Sequence, residues 1–215
     1  MRIVVLGATG ATGREVIKQA LDAGHSVVAY VRRPEIVEPR SGLEVVGGQL
    51  EDVEAMQSAF QGSDAVICCV GPKLDLRSIR HVDLMERALP SIAAAMKNAQ
   101  VDRLVLASAF GVGDTAAKAS PLARLIYRAT MSGIYCDKAR SEAVLQTSGL
   151  NWTTVYPVIL NDAPKSDTVT AQLLAAVDKV PGLPKVSRAN VATILLDLAA
   201  DQNRSGERIL ITGRR

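Results

Sequence analysis

The stretch that decides the fold is residues 1–13, MRIVVLGATGATG, in which a short apolar run ends in Gly7, Gly10 and Gly13. The apolar run predicts a buried strand, and the glycines directly after it predict a sharp turn into a helix. Apolar side chains then recur at helical spacing over residues 11–23, so the free N–H groups at the start of that helix point back at the turn. Such a turn is typical of a site for the diphosphate of a dinucleotide. The alternative is a tight strand-to-helix turn that holds no ligand.

Two arginines follow the next predicted strand, residues 26–31. In NAD-specific proteins an Asp or Glu at this place accepts hydrogen bonds from the ribose 2′-hydroxyl, whereas Arg32 and Arg33 offer donors to a 2′-phosphate. A hydrogen bond to a charged partner contributes about 1.5 to 3 kcal/mol, which corresponds to roughly 10- to 100-fold discrimination. NADP(H) is therefore the predicted cofactor. The alternative is that both arginines are solvated loop residues before Pro34.

Length and composition limit the classes of protein that fit. With 215 residues, 48% of them hydrophobic, one core is expected, and residues 1–215 are predicted to form a single domain. A net charge of +3, two Phe and one Trp argue against a nucleic-acid partner. No apolar run is long enough to cross a bilayer and the first strand starts at once, so we expect a cytoplasmic protein with no membrane partner, either a monomer or a small homo-oligomer. The three cysteines and two histidines lack metal-ligand spacing, so no metal site is predicted.

Strand and helix patterns alternate along most of the chain. Further strands are predicted at residues 43–46, 65–70, 101–107 and 152–156, and helices at 53–60, 82–98 and 138–147. Continuous apolar strands separated by helices are typical of a parallel sheet that is covered on both faces. The predicted fold is therefore α/β, a doubly wound Rossmann-like domain.

The C-terminal part of the chain departs from this regular alternation. Ser187 is a predicted N-cap for a helix over residues 188–200, and ERILIT reads as a last strand. We expect residues 161–215 to form a small cap that closes one wall of a substrate cleft.

Several motifs together resemble a known family. They are GATGATG at 7–13, VRR at 31–33, ASAF at 107–110, KARSEAVLQTSGL at 138–150 and YPVIL at 156–160. In this order they are similar to the atypical short-chain dehydrogenase/reductases with an NmrA-like NAD(P)H-binding domain, most closely to the biliverdin-IXβ and NADPH-dependent flavin reductases. The resemblance covers residues 1 to about 160 and is much weaker beyond them.

The resemblance implies a set of cofactor-binding positions. The pyrophosphate would lie on the glycine turn and the 2′-phosphate on the two arginines, with the adenine, the ribose and the nicotinamide further along the same edge of the sheet. The implied residues are Gly7, Thr9, Gly10, Ala11, Thr12, Gly13, Arg32, Arg33, Gln49, Leu50, Val70, Gly71, Pro72, Lys73, Pro157 and Ile159. Gln49 departs from the family, which usually has Asp there.

A second departure concerns the Tyr-x-x-x-Lys pair of the wider superfamily. Lys138 fits the lysine position, but Ile134 stands four residues earlier and Tyr135 is one position too late. On a helix that shift is a rotation of about 100°. An ordinary alcohol dehydrogenase, which needs a phenol to move a proton, is therefore disfavoured.

The expected activity is NADPH-dependent delivery of hydride to a flavin, a biliverdin-like tetrapyrrole or a quinone-like acceptor. Ser108 would hydrogen-bond the nicotinamide or the acceptor, and Lys138 would add positive charge as negative charge develops. The expected acceptor-side residues are Phe110, Arg124, Tyr127, Arg128 and Tyr135. These could equally belong to an ordinary amphipathic helix with solvated basic residues. A second hypothesis is a non-catalytic regulator of the NmrA type that senses NADP(H).

Overall fold

The computed structural model of the chain describes residues 1–72 and 82–213. Its strands are β1 (Arg2–Leu6), β2 (Ser26–Val31), β3 (Leu43–Gly47), β4 (Ala65–Cys68), β5 (Arg103–Ala107), β6 (Asn151–Pro157), β7 (Ile159–Asn161), β8 (Val169–Leu173), β9 (Lys185–Ser187) and β10 (Glu207–Gly213). The α-helices of the described residues are α1 (Ala11–Asp22), α2 (Val53–Phe60), α3 (Leu84–Asn98), α4 (Pro121–Thr130), α5 (Ser132–Ser148) and α6 (Arg188–Ala200). Short 3-10 helices cover Pro34–Ile36, Gly113–Lys118 and Leu174–Ala176.

Eight strands form one sheet in the order β3-β2-β1-β4-β5-β6-β10-β8. All neighbours are parallel except β8, which runs antiparallel to β10 at the edge. The strand order reverses direction between β1 and β4, and in such sheets ligands bind at this point, at the carboxyl ends of the strands. Strands β7 and β9 form a separate parallel pair.

The sheet is buried on both faces because its strands are apolar on both sides. Within β1, Ile3 and Val5 pack on the side covered by α1 and α6, whereas Val4 and Leu6 pack on the side covered by α2 and α3. This alternation follows from the two-residue period of a strand. The two helical layers cover the faces of the sheet and leave its carboxyl edge at the surface.

The doubly wound α/β fold predicted from the sequence is confirmed. The C-terminal segment, which was expected to form a small cap, also contributes to the main sheet. Strands β8 and β10 extend the main sheet, and α6 packs against α1. Helix α6 spans the predicted residues, and the Ser187 side chain caps it by accepting from the N–H of Asn190 at 3.1 Å. Within the described ranges no helix is long and apolar enough to span a bilayer.

The helices between residues 121 and 148 differ from those predicted. Helix α4 was given no predicted bounds, although an amphipathic helix was the alternative interpretation of Arg124, Tyr127 and Arg128; Ser120 caps it and Pro121 occupies its first turn, both common at helix starts. Helix α5 begins at Ser132, six positions before the predicted 138, because α4 and the turn at Met131 lead directly into it.

Helix α3 is capped by a residue from another helix. The backbone N–H groups of Met85 and Glu86 donate to the carboxylate of Asp137 in α5, at 3.0 and 2.8 Å. Asp83, which precedes α3, makes no side-chain capping bond of its own. Because Asp137 is fully buried, this contact fixes α5 against the start of α3.

Replacing this carboxylate is expected to destabilise the fold. Asp137→Ala leaves two buried N–H groups without an acceptor, so the free energy of unfolding should fall by about 1 to 3 kcal/mol. Urea titration followed by circular dichroism measures the change. Asp83→Ala is the matched control and should cost under about 1 kcal/mol, because its ion pair with Arg87 lies at the surface. Equal losses in both variants would contradict the role of Asp137.

Candidate functional site

The glycine turn after β1 leaves no room for side chains. Gly7 has φ +76°, and a Cβ there would lie 2.7 Å from the carbonyl carbon of Cys69. A Cβ on Gly13 would lie 2.3 Å from the oxygen of Gly7. The end of β4 and the first turn of α1 are thus packed directly onto the turn, and larger residues at these two positions would force them apart.

The N-terminus of α1 is open to an anion. Gly10 occupies the cap position with φ −74° and ψ 160°, no side chain accepts from the first turn, and that turn holds no acidic residue. Arg14 folds back over the turn and donates from Nη1 to the oxygen of Thr9 at 2.7 Å. The free N–H groups, the positive end of the helix dipole and the nearby guanidinium fit the diphosphate of a dinucleotide. Arg14 was not singled out by the sequence analysis.

The residues expected at the adenosine end lie beside this turn. Arg32 and Arg33 follow β2 and are both exposed. Tyr30, in β2, donates from its hydroxyl to the backbone oxygen of Gln49 at 3.0 Å, which holds the segment after β3 beside β2. Burial raises the pKa of Tyr30 to about 12, so the phenol remains a donor at neutral pH. The two arginines and Gln49 therefore share one end of the sheet edge, and Leu50 follows half-buried.

The remaining positions implied for the cofactor follow β4 and β6. Val70 is buried and lies against Gly7, and Gly71 and Pro72 come directly after it. Pro157 ends β6 and its carbonyl accepts from the N–H of Phe110 at 2.9 Å. Ile159 begins β7 and is half-buried. Lys73 and His81 lie outside the described residues.

The two residues expected to be catalytic meet at the end of β5. Lys138 reaches from α5 and donates from Nζ to the backbone oxygens of Ala107 at 3.0 Å and Val70 at 3.4 Å. Burial lowers the pKa of the Lys138 ammonium. Ser108 is the next residue after β5 and is 7% exposed. Lys138 thereby links the ends of β4 and β5 next to the serine.

A chain of polar side chains runs from Ser108 to the surface, and the sequence analysis missed it. Ser108 donates to Oε1 of Glu142, and Tyr156 donates to Oε2 of the same carboxylate at 2.6 Å. Arg208, in β10, donates from Nε to the Tyr156 hydroxyl at 3.1 Å and pairs bidentately with Asp114. The one local signal was the spacing of Glu142, which lies four residues after Lys138 and so on the same face of α5.

A cleft of about 760 Å³ lies between α4, α5 and the segment after β5. Four of the five residues expected on the acceptor side line it: Arg124, Tyr127, Arg128 and Tyr135. Phe110 is different, because its side chain is 2% exposed and packs in the core. The chain turns at the next residue, Gly111, where φ is +107°. The volume falls within the range of small-molecule sites.

The phenol that the wider superfamily uses is not at its usual place. Ile134 is buried in the core, and Tyr135 donates its hydroxyl hydrogen to the backbone oxygen of Phe110 at 3.1 Å. Its ring lies 5.6 Å from that of Tyr127. Burial raises the pKa of Tyr135, which makes the phenol a poor acid at neutral pH. The side chain therefore suits a wall of the cleft.

Comparisons with known proteins agree with this geometry. A family model described as NAD(P)H-binding matches residues 7–202. Over 97% of its length the chain is 26% identical to "Protein TIC 62, chloroplastic" of Arabidopsis thaliana. Over 72% of its length it is 33% identical to the (4-alkanoyl-5-oxo-2,5-dihydrofuran-3-yl)methyl phosphate reductase of Streptomyces griseus. The alignments cover 35% and 46% of these two relatives, so the chain spans less than half of either.

Solved structures share the fold over nearly the whole chain. ChuY from Escherichia coli O157:H7, titled an anaerobillin reductase, gives a TM-score of 0.80 at 20% identity and covers 99% of this chain and 97% of that one. A short-chain dehydrogenase/reductase from Veillonella parvula in complex with NADP gives 0.81 at 17% identity, covering 98% and 94%. At such identities the likeness concerns the fold.

Proposed function

Because the chain belongs to the NAD(P)H-binding family, within the atypical short-chain dehydrogenase/reductases, we propose that it is a reductase that uses NADPH to reduce a small conjugated acceptor. The observation that carries this proposal is the open glycine turn, with α1 uncapped above it and Ser108 and Lys138 further along the same edge. When bound, NADPH supplies the hydride. The chain's own residues bind the phosphates, orient the rings and hold charge near the reacting edge.

The choice of NADPH over NADH rests on the two arginines. Both side chains are exposed at the end of β2. The first carboxylate after β2 belongs to Glu35, and the first after β3 belongs to Glu51. A 2′-phosphate would gain charged hydrogen bonds there, whereas a 2′-hydroxyl would gain little.

Removing both guanidiniums should abolish this preference. Arg32→Ala/Arg33→Ala is expected to weaken NADPH binding by about 10- to 100-fold, because charged hydrogen bonds are lost, and to leave NADH within about twofold. Isothermal calorimetry with both nucleotides measures the change. Arg40→Ala, an exposed arginine in the same connection, should change neither affinity. Equal affinities for NADPH and NADH in the unaltered protein would refute the NADPH preference.

For the acceptor we propose a flavin, a biliverdin-like tetrapyrrole or a quinone-like ring. The support is the cleft, whose lining includes two guanidiniums and a pair of neighbouring tyrosine rings, a combination that suits a planar anionic molecule. The Streptomyces griseus relative is named as a reductase of an unsaturated oxo ring, and the Escherichia coli protein of the same fold is titled an anaerobillin reductase. The buried Ile134 removes the phenol that an alcohol dehydrogenase requires, which favours acceptors that need little help from a protein acid.

The test is NADPH oxidation followed at 340 nm with FMN, biliverdin and a simple quinone. At least one should be reduced, and Ser108→Ala should lower kcat for it by about 10- to 100-fold, as expected for a residue that orients a reacting ring. An unchanged rate in Ser108→Ala would remove the serine from the reaction. Tight binding of NADPH without oxidation by any acceptor would instead favour the regulatory hypothesis.

We also propose a cytoplasmic protein that acts on a small molecule as a monomer or small homo-oligomer. The support for the compartment is that Cys68, Cys69 and Cys136 are free thiols, which persist in a reducing environment.

A further inference from the structure

The direction of every hydrogen bond around Ser108 follows from the network that ends at Asp114. An arginine side chain only donates, so the Tyr156 hydroxyl accepts from Nε of Arg208. The single hydrogen of Tyr156 is then directed to Oε2 of Glu142, 2.6 Å away. Burial and the neighbouring carboxylate raise the pKa of Tyr156, so that hydrogen stays on the phenol.

The same reasoning determines which way Ser108 faces. Glu142 accepts from Tyr156 at Oε2, and an ionised carboxylate only accepts. Ser108 must therefore use its own hydrogen on Oε1 of Glu142. Its Oγ lone pairs remain as acceptors at the end of β5, which Ser108 directly follows. Ser108 can accept a hydrogen bond there but has no hydrogen to give.

Arg208 and Asp114 make this arrangement rigid. Two parallel hydrogen bonds join the guanidinium to the carboxylate, and the guanidinium carbon lies 5.1 Å from the centroid of the Tyr156 ring. Tyr156 is itself 1% exposed. The guanidinium beside Asp114 lowers the pKa of that carboxyl, so the pair keeps its charges at neutral pH. Arg208 of β10 thus fixes the Tyr156 hydroxyl, and that hydroxyl fixes the Glu142 carboxylate.

We propose that Glu142 is a positioning residue, which fixes Ser108 as a hydrogen-bond acceptor for the carboxamide N–H of the bound nicotinamide. Glu142 touches neither cofactor nor acceptor in this account, and acts through the serine. The charge of Glu142 matters because a neutral side chain of the same shape would reverse the direction of the hydrogen bond to Ser108. In Glu142→Gln, the amide oxygen accepts from Tyr156, and the amide nitrogen donates to Ser108. The serine hydrogen then turns outwards, and Ser108 becomes a donor.

The test compares two nucleotides that differ only in this donor. Reduced 3-acetylpyridine adenine dinucleotide phosphate carries an acetyl group where NADPH has its carboxamide, so it lacks the N–H but keeps the carbonyl oxygen. We expect the unaltered protein to bind NADPH about 3- to 10-fold more tightly than the analogue, the equivalent of one ordinary hydrogen bond. In Ser108→Ala and in Glu142→Gln the two nucleotides should bind within about twofold of each other.

Two controls separate positioning from damage to the fold. Gln146 lies one turn further along α5 and, with Glu142, lines a small pocket between α5, β6 and β10. Gln146→Ala should keep the preference of the unaltered protein. Adenosine 2′,5′-bisphosphate, which has no nicotinamide, should bind all four proteins equally. The readout is affinity alone, so it stands whether or not any acceptor is reduced.

Three outcomes would overturn the proposal. A preference that persists in Glu142→Gln but disappears in Ser108→Ala would show that Glu142 does not set the direction. Equal binding of the two nucleotides by the unaltered protein would show that Ser108 accepts nothing from the carboxamide. Weakened binding of the bisphosphate in Glu142→Gln would assign the residue to the fold instead.

Discussion

Gly10→Asp should abolish nucleotide binding while changing the stability of the protein little. The new carboxylate would stand at the N-cap of α1, where Asp is among the preferred residues and where the helix dipole favours negative charge. The backbone there, with φ −74° and ψ 160°, accommodates any residue, but the new Cβ would lie 3.2 Å from the backbone oxygen of Gly7, which must shift by a few tenths of an ångström. The new cap and this close contact act in opposite directions, so we expect the free energy of unfolding to change by no more than about 1 kcal/mol.

The effect on the cofactor should be large because two negative groups would compete for the same N–H groups. At about 4 Å and an effective dielectric constant near 20, like charges repel by about 4 kcal/mol, so the Kd for NADPH should rise by at least about 100-fold. Gly10→Asn adds the same bulk without the charge and should bind at least about tenfold more tightly than Gly10→Asp. Calorimetry and urea unfolding on the same samples give both quantities. Unchanged binding in Gly10→Asp would place the diphosphate elsewhere.

The largest loss of stability is expected from Arg103, the first residue of β5. Its side chain is fully buried and donates five hydrogen bonds, to Asn151, to Thr153 and to the oxygen of Leu198 near the end of α6. Burial lowers the pKa of this guanidinium, and acidic groups nearby oppose the shift. The contacts join β5, β6 and α6 at the amino end of the sheet.

Arg103→Met keeps most of the volume but removes every donor. Buried acceptors, among them the Leu198 oxygen and the Asn151 side-chain oxygen, would lose their partner, at an expected total cost of about 2 to 5 kcal/mol. That is a large part of the stability of an ordinary domain. Urea unfolding monitored by Trp152 fluorescence measures it. Arg87→Met, at an exposed ion pair on α3, is the control and should cost under about 1 kcal/mol. A similarly small loss in Arg103→Met would contradict this account.

The features that the sequence predicted well are local ones. The glycine turn, the strand and helix alternation and the Ser187 cap each depend on neighbouring residues, and all three are present in the structure. The doubly wound arrangement could also be predicted, because right-handed crossovers leave few topologies for such a pattern.

The features that the sequence analysis missed join distant parts of the chain. Asp137 caps a helix 52 positions earlier, and Arg208 reaches Asp114 across 94 positions. No spacing rule connects such pairs, and each becomes visible only when the sheet has assembled. Phe110 shows a different limit, because it lies beyond the end of β5 at Ala107, and a strand pattern carries no information about side-chain direction past the strand end. The roles assigned to the other site residues stay predictions.

The uncapped start of α1 has a practical consequence for anyone who handles this protein. A helix terminus that no side chain caps can bind an anion, so folding and anion binding are thermodynamically linked. At a nucleotide concentration 100 times the Kd, the folded state gains about 2.7 kcal/mol. Melting temperatures will therefore depend on the nucleotide concentration in the buffer, and a simple dye-based melt across a panel of nucleotides can rank them before any turnover assay exists.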